Sequence, residues 1–278
     1  MTTKLVFHTL LMVLAINAGM VQAGQNDKPL VPLPSVLDFS RGQGWGIALG
    51  AGVEYESAYD GSDEYEFEIE PAGAIHYRDG NNLYFWEGIE LGWRGRVSQS
   101  WLLQAGVRYE GGREADDSDE GKLDGLEDRD NVAVGVLEVR SALDDRWSNW
   151  IGGRIMAGNS EFGMLGVIAA GHRFGNRSDG LGTEAFLFAT FGNSDFFNRD
   201  FGINAQESAN TGKPETDLSG GYRSLGLTLV DRRYISDNVQ LITQAGFELY
   251  DDSIQDSPLA EQDYEVEVGV SVVYHFDN

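Results

Sequence analysis

The segment YEVEVGVSVVYHF, residues 264–276, has two faces of opposite character. Every second residue from Tyr264 to Phe276 is aliphatic or aromatic, and the positions between them hold glutamate, glycine, serine, valine and histidine. Successive side chains of a strand point to opposite faces, so this period of two predicts a long β-strand with one apolar face. Such a face needs an apolar solvent, which is either a protein core or lipid.

The same alternation recurs in other segments, and its apolar face often begins and ends with an aromatic residue. Trp45 and Tyr55 enclose one such face, and Trp101 and Tyr109 enclose another. Segments of about ten residues with an apolar band between aromatic girdles are typical of transmembrane β-barrels. A soluble sandwich would bury its apolar face without aromatic rims. Lipid is therefore the predicted solvent of the apolar faces.

The predicted fold class is all-β, a transmembrane antiparallel β-barrel of twelve strands, with ten strands as the alternative. The stretch 83–96 is short for two spans, and 130–143 and 221–234 alternate poorly, which predicts bulges or shifted ends. The long polar loops 112–129, 193–220 and 251–262 are expected outside the cell. The predicted strands are 45–56, 65–78, 83–87, 88–96, 101–111, 130–143, 147–157, 162–173, 182–192, 221–234, 239–250 and 263–276.

The N-terminus predicts export. Lys4 precedes an apolar run that is too short to span a bilayer, and the small-residue pattern Val21-Gln22-Ala23 follows it. We therefore expect a signal peptide at 1–23, a periplasmic N-terminal segment at 24–43 and a barrel at 44–276. The expected location is the cell outer membrane, with its lipid as the surrounding partner.

Composition argues against several classes of function. The net charge of −25 argues against nucleic acid as a partner, and the chain has no cysteine for a disulfide or a thiolate metal site. Its four histidines are far apart, and no G-x-S-x-G motif is present. We expect neither an enzyme nor a bound cofactor.

Four stretches resemble the MipA/OmpV family of Gram-negative outer-membrane proteins. They are YESAYDGSDEYE, LDGLEDRD, DFFNRDFGINAQESANTGKPETDLSGGYRSLGLTL and DSPLAEQDYEVEVGVSVVYHF. The resemblance implies a scaffold that links a lytic transglycosylase to a penicillin-binding protein, a peptidoglycan synthase, in cell-wall assembly. Other members are described as surface antigens or adhesins, so a surface-binding barrel or a narrow channel is the alternative function. The family offers no catalytic residues.

Loop 112–129 contains a weak candidate for a calcium site. Its acidic residues approximate the spacing of a calcium-binding loop, but no flanking helices are evident and a glutamate at the fifth position is atypical. The alternative is a solvated acidic loop. The candidate ligands are Asp116, Ser118, Glu120, Asp124 and Glu127.

Charged residues are predicted on the lumen side of the strands, where they favour one of two arrangements. Inward glutamates alone predict a cation-preferring pore, whereas glutamates paired with arginines predict a packed or narrow lumen, which we favour. The aromatic-rich segment 196–210 is expected to fold back over or into the barrel mouth, or to form a surface patch for a partner or ligand. The predicted lumen charges are Glu66, Glu68, Glu70, Arg78, Arg94, Arg108, Glu265 and Glu267.

The terminal strand is also the predicted signal for the barrel assembly machinery. Its apolar and aromatic face ends at Phe276, two residues before the last residue of the sequence. The predicted signal consists of Tyr264, Val266, Val268, Val270, Val272, Tyr274 and Phe276.

Overall fold

The computed structural model describes residues 42–174 and 181–276, which form a closed antiparallel barrel of twelve strands. Each strand pairs with its neighbours in sequence, and β12 pairs with β1 to close the wall. The prediction of twelve strands is confirmed. The strands are β1 (Gly44–Ser57), β2 (Tyr65–Asp79), β3 (Asn82–Glu87), β4 (Glu90–Arg96), β5 (Trp101–Glu110), β6 (Val132–Ala142), β7 (Asn149–Ala157), β8 (Met164–Arg173), β9 (Gly182–Gly192), β10 (Gly221–Tyr234), β11 (Val239–Tyr250) and β12 (Tyr264–His275).

The two ends of the barrel differ in the length of their connections. The outer mouth carries the loops 58–64, 111–131, 158–163, 193–220 and 251–263, and the inner rim carries the turns 80–81, 97–100, 143–148 and 235–238. The predicted signal peptide 1–23, residues 24–41 of the predicted periplasmic segment, and the last two residues of the chain lie outside the described residues.

The outer surface of the barrel is apolar, as the alternation predicts. Leu137, Val270 and Ile168 expose 64%, 47% and 58% of their surface, while Val136 and Val167, on the opposite side of their strands, are buried. Because the exposed apolar side chains form a belt around the barrel, lipid is the solvent that this surface fits.

The doubtful stretch 83–96 holds two short strands, β3 with six residues and β4 with seven. They form a hairpin, and β3 pairs with β2 only over Ala74–Asp79. The first part of β2, which begins at Tyr65 and precedes Ala74, therefore extends past this hairpin toward the outer mouth. An even number of strands required both β3 and β4. Because these two strands are short, the wall has a gap between their turn and the outer mouth.

The two poorly alternating segments have different explanations. In β10 the pairing with β9 shifts between Tyr222 and Ser224, so Arg223 is the extra residue of a β-bulge, as expected. In β6 the pairing with both neighbours is regular, so this segment has no bulge, and the other expected outcome, shifted ends, applies: the strand runs over Val132–Ala142 instead of 130–143. Val132 and Val134 are apolar on the lumen side because they pack against a buried cluster inside the barrel.

That cluster fills the lumen beside β6–β10, and glycines make room for its largest rings. Trp150 lies against Gly171 of the neighbouring strand, and Phe188 lies against Gly226. A Cβ atom at either glycine would overlap the aromatic ring. Glycine inside these strands is therefore a packing requirement, which accounts for part of the high glycine content.

Three short α-helices lie in the outer loops: α1 (Ser194–Phe201), α2 (Ala205–Thr211) and α3 (Asp252–Gln255). Asn193 and Asn204 begin α1 and α2, and each side chain accepts hydrogen bonds from backbone N–H groups of the first turn. Among the described residues, no helix has the length and apolar character needed to cross a membrane.

The alternation of β12 predicts opposite responses at neighbouring positions. Val270→Arg, which places a charge on the lipid side, should destabilise the barrel by about 2–4 kcal/mol. Glu267→Gln, on the lumen side, should change the stability little. Unfolding by denaturant in lipid vesicles, followed by heat-modifiable gel mobility, measures both. A larger loss for Glu267→Gln would show that the two faces had been assigned the wrong way round.

Candidate functional site

The outer mouth is covered by a plug that we define as residues 193–220, which include α1 and α2. Phe196, Phe197 and Phe201 of α1 are almost fully buried and join the cluster inside the barrel. Phe162 contacts Phe196 edge to face, with ring centroids 5.4 Å apart. The interpretation that 196–210 folds back into the mouth is confirmed. The plug is held by the same apolar cluster that fills the lumen beside β6–β10.

Arg223 fixes the plug to the barrel wall. The β-bulge turns this residue inward, where its side chain is completely buried. Its guanidinium group donates hydrogen bonds to Glu248 at 2.8 Å and to Asp60 at 2.5 Å. It also lies over the ring of Phe201 in the plug, 5.8 Å from the centroid. One side chain thus connects two strands, the loop 58–64 and α1.

Glu207 of α2 connects the plug to loop 111–131. Its side chain is fully buried and accepts hydrogen bonds from Arg129 at 2.8 Å and from the backbone N–H of Glu127 at 3.1 Å. The same carboxylate completes a capping box with Asn204 at the start of α2. Because burying an unpaired carboxylate is costly, these contacts determine where the plug lies.

Lys122 joins three outer loops through four carboxylates. Its ammonium group contacts Asp63, and lies 2.8 Å from Glu261, 3.4 Å from Glu120 and 3.8 Å from Glu64. Burial by itself lowers the pKa of Lys122, but the hydrogen bonds with Asp63 and Glu261 raise it above its usual value. The hydrogen bond from Lys122 holds the pKa of Asp63 below its usual range. The stabilisation from Asp63 is therefore present above its ordinary pKa and is lost as the pH falls.

Inside the barrel, the strands β4–β7 carry a network of paired charges. Arg154 donates hydrogen bonds to Glu138 at 3.0 Å and to Glu90 at 3.1 Å. Gln104 connects Glu90 to Arg94, whose Nε atom donates to the Gln104 side chain at 2.7 Å. This wall fits the predicted Glu–Arg packing of the lumen.

The wall formed by β12, β1 and β2 is acidic instead, and we call it the acidic wall. Two pairs of glutamates lie directly opposite each other across β1 and β2, Glu54 with Glu68 and Glu56 with Glu66. Like charges in directly opposite positions destabilise a sheet. The carboxylate oxygens of Glu56, Glu68 and Glu70 lie within 4.8 Å of one another. Gln244 donates hydrogen bonds to Glu54 at 2.8 Å and to Glu267 at 2.6 Å.

The predicted lumen charges divide between these two walls. Arg94, Arg108 and Glu265 are buried, and Arg108 pairs with Glu110 on its own strand. Glu68, Glu70, Glu267 and Arg78 are partly buried, and Glu66 is exposed near the outer mouth. Glu265 accepts a hydrogen bond from Ser57 at 2.9 Å across the β1–β12 seam. The predicted Glu–Arg packing thus fits the wall formed by β4–β7 better than the acidic wall.

The described residues of the predicted calcium loop do not converge on one point. Ser118 donates a hydrogen bond to Glu64, Glu120 lies beside Lys122, and Glu127 accepts from Asn204. Asp124 lies against Gly121, and the side chain of Asp116 lies outside the described residues. Within the described part of the chain, the group of acidic side chains that approaches metal-binding geometry is the one on the acidic wall.

The predicted assembly face of β12 lies on the outside of the barrel. Tyr264 and Tyr274 expose 41% and 45% of their surface, and Phe276 exposes 53%. Val266, Val268, Val270 and Val272 occupy the same side of the strand. The role of this face in recognition by the assembly machinery stays a prediction.

The three described histidines occupy both sides of the barrel wall. His76 and His275 are buried on the lumen side, and His172 is exposed on the outside together with Met164 and Ile168. The predicted strand 162–173 places Phe162 on that outer side by alternation, and this is wrong. It precedes β8, which begins at Met164, and its ring turns inward to the plug.

Three residues that hold the mouth closed were not singled out from the sequence: Arg223, Glu207 and Lys122. The broken alternation of 221–234 was a signal for the first, since a bulge redirects a side chain. The capping-box spacing of Asn204 and Glu207 was a signal for the second. Nothing local in the sequence marks Lys122, because its four partners come from three separate loops.

A family model described as "MltA-interacting protein MipA" matches residues 49–276. The chain belongs to the MipA family. The match covers nearly the whole barrel, including the plug and loop 111–131. Comparison with curated proteins gives no match.

Solved structures similar to this MipA family member are also barrels. They include a KdgM porin, with 10% identity over 82% of this chain and 98% of the porin and a TM-score of 0.42. The Pseudomonas putida toluene transporter TodX has 8% identity over 92% of this chain and 95% of TodX, with a TM-score of 0.45. The CymD monoaromatic hydrocarbon channel has 8% identity over 86% and 90% of the two chains, with a TM-score of 0.45. These similarities carry no conclusion about function.

Removing the Lys122 charge should loosen the outer mouth. In Lys122→Met, four carboxylates remain together without their shared cation, so loop 111–131 should separate from its neighbours. We expect a glutamate-specific protease to cut this loop about ten times faster, the ratio that corresponds to about 1.4 kcal/mol of easier opening. Lys213→Met is the control, because Lys213 lies in the plug and forms no ion pair among the described residues. Equal cutting rates for both variants would contradict the role given to Lys122.

Proposed function

We propose that this chain is a non-enzymatic barrel of the bacterial outer membrane that binds other proteins rather than passing solutes. Its role would be that of a scaffold between a peptidoglycan hydrolase, of the lytic transglycosylase type, and a penicillin-binding protein in cell-wall assembly. The proposal that the barrel binds proteins rather than passing solutes rests on the closed outer mouth, in which apolar packing and buried ion pairs hold the plug. The partner classes rest on the family, whose name refers to an interacting protein.

A pore function would need a different arrangement of the plug. A plug that opens would be expected to make few apolar contacts and to have hydrated charges, because segments that move are those of low local stability. Here α1 instead buries three phenylalanines, and Arg223 and Glu207 are completely buried beside it. Opening would expose this apolar surface and leave buried charges without partners.

The inner rim offers a rigid surface for a periplasmic partner. Trp147 in the turn 143–148 has a φ of 57°, a conformation that costs a non-glycine residue about 1–3 kcal/mol. The strain is held by neighbouring contacts: its indole N–H donates to the Gln99 backbone at 2.9 Å, and Arg96 lies 5.3 Å above its ring. Hydrogen bonds from the backbone N–H groups of Ser148 and Asn149 lower the pKa of Asp144 to about 2. A surface fixed in advance loses less conformational entropy on binding.

The scaffold proposal predicts simultaneous binding of both enzymes at the inner rim. Purified protein in lipid nanodiscs should retain a lytic transglycosylase and a penicillin-binding protein together, and Arg146→Glu in the exposed turn should weaken this retention. Lys213→Glu makes the same charge change at the opposite end and should leave it unaltered. Retention no greater than by nanodiscs that hold a KdgM porin would refute the proposal.

A narrow cation-preferring channel is the second candidate, and the acidic wall favours it. If the lumen conducts, replacing Glu66, Glu68 and Glu70 together by Gln should reduce the preference for cations. We expect the planar-bilayer current of the unaltered protein to be small and unsteady beside that of a KdgM porin, because the plug covers the mouth. Large, stable, cation-selective steps that the triple replacement weakens would establish the channel in place of the scaffold.

A further inference from the structure

Among the described residues, one stretch of the barrel wall has a paired strand on one side only. We call residues Tyr65–Pro71 the β2 edge. On one side this stretch pairs with β1, but β3 begins its pairing with β2 only at Ala74. At the turn of the β3–β4 hairpin, the Gly88 N–H group donates a hydrogen bond to the Gly73 carbonyl at 2.9 Å. Toward the outer mouth from this bond, the β2 edge is paired with β1 only.

The hydrogen-bond pattern shows which backbone groups lie along this gap. In an antiparallel strand, the N–H and C=O groups of one residue point to the same side, and the side alternates along the chain. Because the Gly73 carbonyl points toward β3, the backbone groups of Pro71, Ile69 and Phe67 point that way too. Within the described residues, no backbone hydrogen bond reaches these three positions from that side.

The position of Pro71 agrees with this reading. Proline has no N–H group and is confined in sheets to edges, strand starts and bulges. Pro71 lies well inside β2 and is opposite Ala51 in a regular register with β1. It therefore occupies the first position beyond the hairpin, where the N–H group would have no strand to bind.

The gap opens within the apolar belt of the barrel. Phe67 and Ile69 expose 76% and 77% of their surface. The Phe67 ring is 4.8 Å from that of Tyr55, and these rings mark the upper aromatic girdle. Ile69 and Pro71 lie below the girdle, where hydrocarbon cannot form hydrogen bonds with an open strand edge. Loop 111–131 passes above the gap to reach Asp63 and Glu64, and adds no strand to it.

The side chains of the β2 edge indicate what kind of strand would fit. Glu66, Glu68 and Glu70 face the lumen side, and Phe67 and Ile69 face lipid. A second copy of this chain would place its own glutamates opposite these, which is unfavourable. A segment in which lysine or arginine alternates with apolar residues would match both faces, because its charges would neutralise the acidic wall and its apolar side would meet lipid.

We propose that the β2 edge binds an extended, basic segment of a partner protein by strand addition. The segment supplies backbone hydrogen bonds to Phe67, Ile69 and Pro71, which accounts for affinity. Its basic side chains contact Glu66, Glu68 and Glu70, which accounts for specificity. This interaction lies in the plane of the membrane and does not depend on binding at the inner rim.

Synthetic peptides of about eight residues, the length of an ordinary strand, test the proposal with the full protein in nanodiscs. A peptide that alternates valine and lysine should bind, as measured by fluorescence anisotropy. A peptide of the same composition with its lysines grouped together, and one that alternates valine and glutamate, should bind at least about tenfold more weakly, because neither matches both faces of the edge.

Two variants locate the site. Ile69→Pro removes an N–H group that points into the gap without touching the pairing with β1, and should weaken binding of the valine–lysine peptide about tenfold. Joint replacement of Glu66, Glu68 and Glu70 by Gln should do the same, whereas Glu267→Gln on β12 should not. Heat-modifiable mobility shows that each variant is folded. Unchanged affinity in Ile69→Pro, or equal binding of all three peptides, would overturn the proposal.

Disulfide trapping distinguishes a peptide bound at the β2 edge from a second copy of the chain and from a peptide that only partitions into lipid. The chain has no cysteine, so each introduced cysteine can be assigned. Ile69→Cys should form a disulfide with a cysteine in the valine–lysine peptide, and Leu137→Cys, equally apolar and lipid-facing on the fully paired β6, should not. A disulfide between two Ile69→Cys protein molecules in the absence of peptide would assign the edge to a second copy. Trapping at Leu137→Cys with equal yield would mean that the peptide only partitions into lipid. Either result rejects the proposal.

Discussion

The structure depends on one constraint: a polypeptide that lies in hydrocarbon must satisfy its own backbone hydrogen bonds. Closure of β12 onto β1 meets this requirement around almost the entire wall. The alternation of side chains follows from closure, because each strand then has one face toward lipid and one toward the lumen. Within the part of the chain that the structure describes, the requirement is left unmet above the short β3–β4 hairpin, where the exposed Phe67 and Ile69 lie.

The lumen solves a second problem, which is how to fill a twelve-stranded barrel. The part beside β6–β10 is packed with aromatic and aliphatic side chains that continue into the plug, and glycines such as Gly171 make room for large rings. The wall formed by β12, β1 and β2 carries glutamates instead, and Glu54, Glu56 and Glu265 among them are buried. The five outer loops together hold 23 aspartates and glutamates but only five lysines and arginines. Arg223 and Lys122 at the mouth each contact several carboxylates at once.

Strand positions were predictable from the sequence because alternation is a local property. The predicted 182–192, 221–234 and 239–250 match the observed strands at both ends, and β6 is shorter than predicted by two residues at its start and one at its end. The plug was predictable only as an aromatic-rich segment, since no local pattern says which surface receives it. The role of Lys122 depends on loops far apart in the chain, and the gap beside Pro71 depends on strand lengths across three strands. Such features follow from the assembled barrel and not from any single segment.

The hydrogen bond between Ser57 and Glu265 has a consequence for the order of folding. These residues are 208 positions apart in the chain, and the Arg223–Asp60 contact spans 163. Contacts of such high sequence separation carry a large loop-closure entropy and form late, after the hairpins between neighbouring strands. The contacts that hold the plug in the mouth therefore form only after the first and last strands have paired. An ordered plug thus indicates a closed barrel. In a chain whose β1 and β12 had not yet paired, the acidic outer loops would not be held together and would be accessible to proteases.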